Sequence, residues 1–355
     1  MRYLNHAGTS WPKPEAVHLA VRDAEAASPD TWADRFVAAH GRIATHLGVP
    51  AETLLPTPSC TAALAVAVAD VPWTPGDRVL TSSMEHHALV RPLAKVRDHV
   101  GIEVVEVPRA ADGPLDLDRA EAELRRGRVK LVAVSMASNV TGEELPWREL
   151  VPLAHDHGAL CLLDGAQVAG WHPLDLTAEE VDVFAFAGHK GPQAPVGIGG
   201  LYVRPGVPLR TPAATCDGEL CRTGPGYCDT GSVSLPGLSG LAAGLDVMAE
   251  ARPLAAALAL TTRLRAALAA LPGVAVHGGP PAVPTVSLTM AGRDPRCLSR
   301  ALGGAGIVVR GGTQCAPRAH QALGTGDAGA LRVSFGPGSE EADLDAVVEQ
   351  LAAIR

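Results

Sequence analysis

The chain has 355 residues, 47% of them hydrophobic, and a formal net charge of −8. This composition favours a globular enzyme of two domains, and the acidic balance without a basic run argues against nucleic acid and anionic membranes as partners. The N-terminus lacks a basic segment before an apolar core and no apolar stretch reaches about 18 residues, so we expect neither secretion nor membrane spanning, with a cytoplasmic location as the default.

The seven cysteines are scattered and form no C-x-x-C pair. This pattern is typical of reduced thiols in a cytosolic protein rather than of a disulfide framework. Cys216, Cys221 and Cys228 fall in one loop-like segment, but their spacings are wider than those of zinc knuckles and a fourth ligand is not evident. We therefore predict no metal site.

Helices and strands alternate through most of the chain. Apolar residues three and four apart predict helices, and short apolar runs bounded by Gly, Pro or polar residues predict strands. The alternation predicts an α/β fold with a mostly parallel sheet between helices. The predicted elements up to residue 136 are an extended entry over 1–14, helices over 15–27 and 32–47, a strand, turn and helix over 54–69, a strand ending near Ser82, a helix beginning with Glu85, β-like runs over 100–107 and 129–136, and a polar helix around Leu117–Arg126.

The second half continues this pattern and then changes. The later predicted elements are apolar strands before Asp164 and before Gly188, a strand after 197, helices over 238–251 and on to about 270, a β-like run over 284–288, a helix over 295–304, a strand over 307–310, a strand containing Arg332 and a closing amphipathic helix. We predict an entry segment over 1–14 that packs near the active site, a large domain over 15–250, and a small α+β domain over 251–355 that carries Cys315 and Arg332.

Polar residues follow several predicted strands. Ser59, Cys60 and Thr61 open a predicted helix, where unpaired backbone N–H groups and the helix dipole favour an anion. Simple N-capping explains the same residues equally well. Because the carboxyl ends of parallel strands meet at one rim of a sheet, these residues and those at 86, 139 and 164 are expected to lie together.

Asp164 and Lys190 are the most informative pair. Asp164 ends an apolar strand, so its carboxylate needs a cationic partner, and the protonated pyridine nitrogen of pyridoxal 5′-phosphate (PLP) is one such partner. Lys190 follows another apolar strand directly and is flanked by Gly, which suits the floor of a cavity and a Schiff-base lysine. The 26-residue separation (190 − 164) predicts one strand–helix–strand step between them.

The phrases DGAQ at 164–167 and GHK at 188–190 together closely resemble class V PLP enzymes of fold type I, specifically the cysteine desulfurase family. The resemblance extends to YLNHAGTSW at the start, SNV at 138–140, VGIGGLYVR at 196–204 and RGGTQCAPRAHQALG at 310–324. It implies a large domain with a seven-stranded type of sheet, PLP as the cofactor, and a homodimer with shared active sites.

The resemblance also implies roles for individual residues. Lys190 carries the cofactor, Asp164 contacts the pyridine nitrogen, and His86 stacks on the ring and relays protons. Further contacts to the cofactor are implied for Cys60, Thr61, Asn139, Gln167 and His189, and for Ser232 toward the phosphate of the neighbouring subunit's cofactor. Asn139, Arg332 and Arg310 are implied to bind the substrate, Arg332 through its α-carboxylate.

Cys315 lies on a Gly-rich loop, where a thiol has little core to fill and can enter a cleft. A lone loop cysteine is often incidental, but the resemblance implies the catalytic cysteine of desulfurases. Several positions depart from the family pattern: Cys60 for a small residue, Ala187 for Ser or Thr, Ser234 and Ser339 for Asn, and Gln314 for the His that is common before the cysteine.

These features predict a PLP-dependent cysteine desulfurase that converts L-cysteine, or a related small amino acid, to alanine, leaving a persulfide on Cys315 for a sulfur-acceptor protein. Two alternatives stay open. One is a lyase that cleaves the carbon–sulfur or carbon–selenium bond of a cysteine derivative or selenocysteine, and the other is a class V aminotransferase or epimerase.

Overall fold

The computed structural model describes residues 1–209 and 233–354. Within these ranges, the strands are β1 (Arg2–Tyr3), β2 (Leu54–Thr57), β3 (Arg78–Ser82), β4 (Glu103–Val107), β5 (Val129–Ser135), β6 (Leu160–Asp164), β7 (Val183–Ala187), β8 (Gly199–Val203), β9 (Val274–His277), β10 (Thr285–Met290), β11 (Ile307–Val308), β12 (Arg310–Gly312) and β13 (Ala330–Ser334). The helices are α1 (Glu15–Glu25), α2 (Trp32–Leu47), α3 (Cys60–Asp70), α4 (His87–Val100), α5 (Leu117–Arg125), α6 (Trp147–Asp156), α7 (Leu235–Ala251), α8 (Leu254–Ala269), α9 (Pro295–Gly304), α10 (Pro317–Ala322) and α11 (Glu341–Ala353).

A seven-stranded sheet forms the centre, in the order β2-β8-β7-β6-β5-β3-β4. Neighbouring strands are parallel except at β8, which runs antiparallel to both β2 and β7. The mostly parallel sheet predicted from the sequence is therefore confirmed. The ends of β2, β3, β5, β6 and β7 consequently open onto one rim.

Both faces of this sheet are buried, which explains its apolar strands. Successive residues of a strand pack into the two hydrophobic cores on opposite faces of the sheet. Val79 and Leu131 pack on the side of α3 and α4, while Leu80 and Val132 pack on the side of α2 and α6. This alternation follows from the two-residue period of a strand. It fixes which residue at each strand end can face the rim.

A smaller antiparallel sheet, in the order β12-β13-β10-β9, packs with α8, α9 and α11. Its core includes Leu264, Val286 and Val333, and Leu4 from the start of the chain belongs to the same core. The first strand, β1, pairs in parallel with β11. The start of the chain thus packs with its last third, and the boundary near residue 250 stays a prediction.

Three details differ from the sequence-based expectation. The described backbone between β6 and β7 contains turns but no α-helix, so the strand–helix–strand step was wrong in its middle part. Helix α4 begins at His87 rather than Glu85, because His86 is extended and caps the helix. The strand over 307–310 divides into β11 and β12, which join different sheets. Among the described residues, no helix combines the length and apolar character needed to cross a membrane.

Candidate active site

A cavity of about 410 Å³ lies at the rim where the parallel strands end. It is lined by all the predicted site residues that the structure describes: Cys60, Thr61, His86, Asn139, Asp164, Gln167, His189, Lys190, Arg310, Cys315 and Arg332. Ser232, the remaining predicted site residue, lies outside the described residues, as do Cys216, Cys221 and Cys228. The predicted convergence on one rim is confirmed.

Asp164 ends β6 and is a buried residue, 5% exposed. Its Oδ1 accepts hydrogen bonds from the backbone N of Ala166 at 2.9 Å and from Sγ of Cys60 at 3.3 Å. Its Oδ2 has no hydrogen-bond donor among the described residues. One carboxylate oxygen is therefore held in place, and the other is available to a cation in the cavity. Burial keeps the Cys60 thiol protonated, since it raises its pKa well above the ordinary value.

Lys190 follows β7 and its side chain reaches the same cavity. Burial lowers the pKa of its ammonium group, and the nearby Asp164 carboxylate opposes that shift. A lowered pKa increases the neutral, nucleophilic fraction of a lysine amine. Helix α7 supports this loop closely: a Cβ at Gly244 would lie 2.0 Å from the carbonyl oxygen of Pro192.

The first turn of α3 forms one wall of the cavity. Ser59 caps it by accepting from the backbone N of Ala62 at 3.1 Å. Cys60 and Thr61 are the first two helical residues, so their N–H groups have no acceptor within the helix and suit an anion. On the opposite side, Nδ1 of His189 lies 3.0 Å from Oγ1 of Thr9, which orients the ring.

His86 caps α4 with its ring. Its Nδ1 accepts from the backbone N of Ala88 at 3.0 Å. The neutral ring therefore carries its proton on Nε2, which is a donor. Burial, together with the positive charge of Lys190, lowers the pKa of His86 to about 4, so this neutral tautomer is the form present near pH 7.

Arg332 is a buried guanidinium, 4% exposed, without a carboxylate partner in the part of the chain that the structure describes. Its Nη1 donates to the carbonyl oxygen of Asn139 at 2.8 Å and its Nη2 donates to Oδ1 of Asn5 at 3.0 Å, while its Nε is buried without an acceptor. Burial and the charge of neighbouring Arg310 lower the pKa of Arg332 to about 10. An unpaired buried guanidinium of this kind fits a bound carboxylate.

Cys315 is exposed on a tightly held loop. Gln314 and Cys315 both have left-handed backbone angles, with φ of 45° and 59°. The carbonyl oxygen of Gln314 accepts from Nδ2 of Asn139 at 2.9 Å, and that of Cys315 accepts from the backbone N of His87 at 2.8 Å. Two consecutive non-glycine residues in this region need such support, because each is strained.

The Gln314 side chain is buried beneath the loop. Its Nε2 donates to the carbonyl oxygens of Ala330 at 2.8 Å and Arg310 at 3.4 Å. Its Oε1 lies 2.7 Å from Nε2 of His320, whose Nδ1 lies 2.7 Å from Oγ1 of Thr325. Gln314 therefore anchors the loop from below, where the sequence left its role open.

The model of the family described as Aminotransferase class-V matches residues 19–347. The chain belongs to this family. A protein of Pseudomonas aeruginosa named as a probable cysteine desulfurase is 34% identical, over 97% of this chain and 91% of the relative. This places the chain with the cysteine desulfurases, as the sequence resemblance implied.

Solved structures agree with this placement. The crystal structure of the cysteine desulfurase CsdA from Escherichia coli has a TM-score of 0.89 at 27% identity, covering 99% of this chain and 94% of that one. The apo structure of a cysteine desulfurase from Thermococcus onnurineus has a TM-score of 0.91 at 24% identity, with the same coverage. The expected fold class, PLP fold type I, is confirmed.

Two residues, one lining the site of this family member and one beside it, were given no role from the sequence. Asn5 comes from the entry segment and binds Arg332, 327 residues away. Glu85 is fully buried, where its carboxylate accepts from Oγ of Ser82 at 2.5 Å and from the backbone N and Oγ of Ser135. A carboxylate between an apolar strand and two histidines was a signal for Glu85, and for Asn5 the signal was the family resemblance of its segment, which implied a position near the mouth of the active site.

Proposed function

We propose that this protein is a PLP-dependent cysteine desulfurase that converts L-cysteine to L-alanine and receives the sulfur on Cys315. The observation that carries the proposal is a single cavity lined by four reactive groups. They are a buried amine (Lys190), a carboxylate with one free oxygen (Asp164), a guanidinium without a carboxylate partner (Arg332) and an exposed thiol (Cys315). Family membership and the named relatives support the same activity.

The residues present fit PLP. The first turn of α3, through Cys60 and Thr61, would hold its phosphate together with His189. The free Oδ2 of Asp164 would hold the pyridine nitrogen, and Lys190 would hold the group covalently. Asn139, Gln167 and His86 are assigned to further contacts with it. When bound, PLP supplies an electron sink that makes the substrate Cα–H bond acidic.

The chain's own residues then bind and orient the substrate. Arg332 binds the α-carboxylate through its unpaired Nε, with Arg310 nearby at the open side of the cavity. Lys190, with its lowered pKa, moves the proton at Cα, and His86 can donate a proton from Nε2 but not accept one there. Asn139 links substrate and loop, since its carbonyl holds Arg332 and its amide holds Gln314.

Sulfur transfer falls to Cys315. Its thiolate attacks the substrate sulfur, a sulfur–sulfur bond forms, and the carbon–sulfur bond breaks. The carbon skeleton keeps the electron pair of the broken bond and takes up protons to become alanine, while the enzyme holds a persulfide. The exposed, rigidly placed thiol at the cavity favours this route over a carbon–sulfur or carbon–selenium lyase, or an aminotransferase or epimerase, none of which needs it.

A product assay on L-cysteine tests this proposal. Alanine, pyruvate and sulfide are measured for the wild type, Cys315→Ala, and Cys297→Ala, in which the exposed cysteine of α9 serves as the matched control. We expect alanine from the wild type and the control, and a loss of at least about 100-fold in Cys315→Ala, because no other thiol among the described residues lines the cavity except the buried Cys60. An unchanged rate in Cys315→Ala would favour the lyase.

We further propose a cytoplasmic homodimer in which Ser232 of the partner subunit reaches the phosphate of the cofactor, and a thiol-bearing protein as the sulfur acceptor. The resemblance of Asp229–Ser232 to the corresponding family motif supports the shared site. Light scattering tests the dimer, and Ser232→Ala is expected to weaken retention of PLP on dialysis. A monomeric mass would contradict the shared site.

A further inference from the structure

The carbonyl oxygen of His189, in the turn after β7, is surrounded by donors from the entry segment. Ser10 donates to it from its backbone N and from its Oγ, both at 2.9 Å. Oγ1 of Thr9 lies at 3.1 Å from it and Nζ of Lys13 at 3.2 Å. A carbonyl oxygen has two lone pairs, so these donors are more than it needs. We call residues 9–13, together with this carbonyl group, the entry clasp.

Lys13 is the charged member of the entry clasp and has no role in the mechanism above. Its side chain is half-buried and forms no ion pair with a carboxylate of the described residues, since Glu15, two positions along, pairs with Arg22 instead. Its second hydrogen bond runs to Oγ of Ser10 at 2.6 Å. Burying an ammonium group without a counter-ion is costly, so its position suggests an anion that comes from outside the chain.

The entry clasp decides which nitrogen of the His189 ring carries the proton. An ammonium group only donates, so Oγ of Ser10 accepts from Lys13 and its own hydrogen is left for the His189 carbonyl oxygen. Because that oxygen is then saturated, the single hydrogen of the Thr9 hydroxyl is free for Nδ1 of His189, 3.0 Å away. The neutral ring therefore carries its proton on Nε2, which has no partner within 1–209 and 233–354 and belongs to a residue that lines the cavity.

This choice of nitrogen matters because the turn offers few other donors. Ala187 ends β7 at the cavity without a hydroxyl group. Burial, together with the charges of Lys190 and Lys13, lowers the pKa of His189 to about 4, so the ring is neutral near pH 7 and donates from one nitrogen only. If Thr9 gave its hydrogen to the carbonyl oxygen instead, Nδ1 would carry the proton and Nε2 would present a lone pair to an anion.

We propose that Lys13 is a positioning residue for the phosphate of PLP. As an ammonium group it fixes the hydrogens of the entry clasp, and these hold His189 with Nε2–H directed at the phosphate. This inference rests on the proposed function, because it needs PLP as the cofactor. It goes further by giving a role to a residue outside the cavity that acts through another side chain.

The role of Lys13 predicts a dependence on pH. Burial lowers the pKa of Lys13 to about 8. Its charge acts on His6 and His189, whose pKa values are both lowered to about 4, chiefly by burial, so neither ring titrates near pH 8. Above that pH the neutral amine can accept from the Ser10 hydroxyl, and the hydrogens of the clasp lose their fixed direction. The affinity for the phosphate is therefore greatest below about pH 8 and falls as the pH rises through it.

The test compares two ligands that differ only in the phosphate. The full-length protein is freed of cofactor and titrated with PLP or with pyridoxal, and the preference is the ratio of the two dissociation constants. Both ligands form the same bond with Lys190, so its titration cancels in the ratio, and the phosphate, with a second pKa of about 6, stays largely dianionic from pH 7 to pH 9. We expect the wild-type preference for PLP to fall about fivefold over this range.

Two variants remove the charge or its titration. Lys13→Met should show the low preference at both pH values, and Lys13→Arg, which keeps its charge, should show the high one at both. The matched control is Lys130→Met, at the end of β5 away from the cavity, where a part-buried lysine also donates to a carbonyl oxygen but pairs with Asp77. It should keep the wild-type pH dependence. An unchanged preference in Lys13→Met at pH 7, or the wild-type fall with pH in Lys13→Arg, would overturn the proposal.

A double-mutant cycle with His189→Gln separates positioning from a direct effect of charge. In this background, Lys13→Met should change the preference by less than about twofold, because no ring is left to position. A loss as large as in the wild-type background would show that the charge acts on the phosphate directly and would overturn the positioning role. A wild type that does not bind PLP would refute the proposed function and this inference with it, whereas PLP binding without the expected dependence on Lys13 would refute this inference alone.

Discussion

The Gln314 side chain, which holds the Cys315 loop from below, can be replaced by a side chain of similar size that forms no hydrogen bonds. Gln314→Met eliminates the hydrogen bonds from Nε2 to Ala330 at 2.8 Å and to Arg310 at 3.4 Å, and the one between Oε1 and His320 at 2.7 Å. It also leaves Nε2 of His320, which is fully buried, without an acceptor. The methionine fills the same volume, so the change is mainly one of hydrogen bonding.

The expected cost follows from these contacts. The two short hydrogen bonds contribute about 1 kcal/mol each and the long one about 0.5–1 kcal/mol, giving about 3 kcal/mol in favour of the held loop. The left-handed backbone angles of Gln314 and Cys315 cost of the order of 1 kcal/mol each or more, and the hydrogen bonds offset this strain. Losing about 3 kcal/mol shifts the loop equilibrium by a factor of about 100.

The assay separates substrate binding from sulfur transfer. We expect Gln314→Met to load sulfur on Cys315 between about 10 and 100 times more slowly in a rapid-quench mass-spectrometric experiment, while the spectral change on adding L-cysteine keeps its concentration dependence. Gln321→Met, an exposed glutamine of α10, is the control and should match the wild type. Loading within about twofold of the control would refute the anchoring role.

Three other changes have clear expectations. Lys190→Ala should remove the visible absorbance of the PLP-loaded protein without altering its far-ultraviolet circular dichroism, and a retained band would contradict the assigned lysine. Arg332→Lys should raise the KM for L-cysteine by about 10- to 100-fold with a smaller effect on kcat, because a single ammonium cannot replace the guanidinium fork; an unchanged KM would argue against the carboxylate site. Burial raises the pKa of Glu85 from 4.5 to about 7, so ionising it costs the folded state about 3 kcal/mol. This loss of stability should develop as pH rises from about 4.5 to 7, and Glu85→Gln should lack it in urea unfolding at pH 5 and 8, whereas an identical pH dependence would show that Glu85 is not the group responsible.

The sequence identified the residues whose chemistry is set by local pattern. Asp164 and Lys190 follow apolar runs, and a polar group directly after a buried strand has few places to lie other than a strand-end cavity. His86 and Arg332 came from the family resemblance rather than from the pattern. The sheet, too, follows from the alternation of short apolar runs and helices.

Contacts between segments far apart in the sequence could not be predicted from local sequence patterns. Cys60 meets Asp164 across 104 residues and Asn139 meets Gln314 across 175, and neither pair shares a periodic pattern. The reversed direction of β8 was equally hidden, because an antiparallel strand buried on both faces has the same apolar composition as a parallel one. Such features depend on how the elements pack.

The fixed position of Cys315 limits how the sulfur that we propose it carries could be transferred. A thiol on a long flexible loop could meet its recipient some distance from the protein, but the Cys315 backbone is hydrogen-bonded to His87 of α4, and the preceding Gln314 is hydrogen-bonded to Asn139 in the turn after β5. An acceptor protein of the kind proposed above would therefore have to present its cysteine on a slender, projecting segment. In that proposal, bulky or recessed thiols would be excluded by shape, so the rigidity of this one short turn would select which thiols can receive the sulfur.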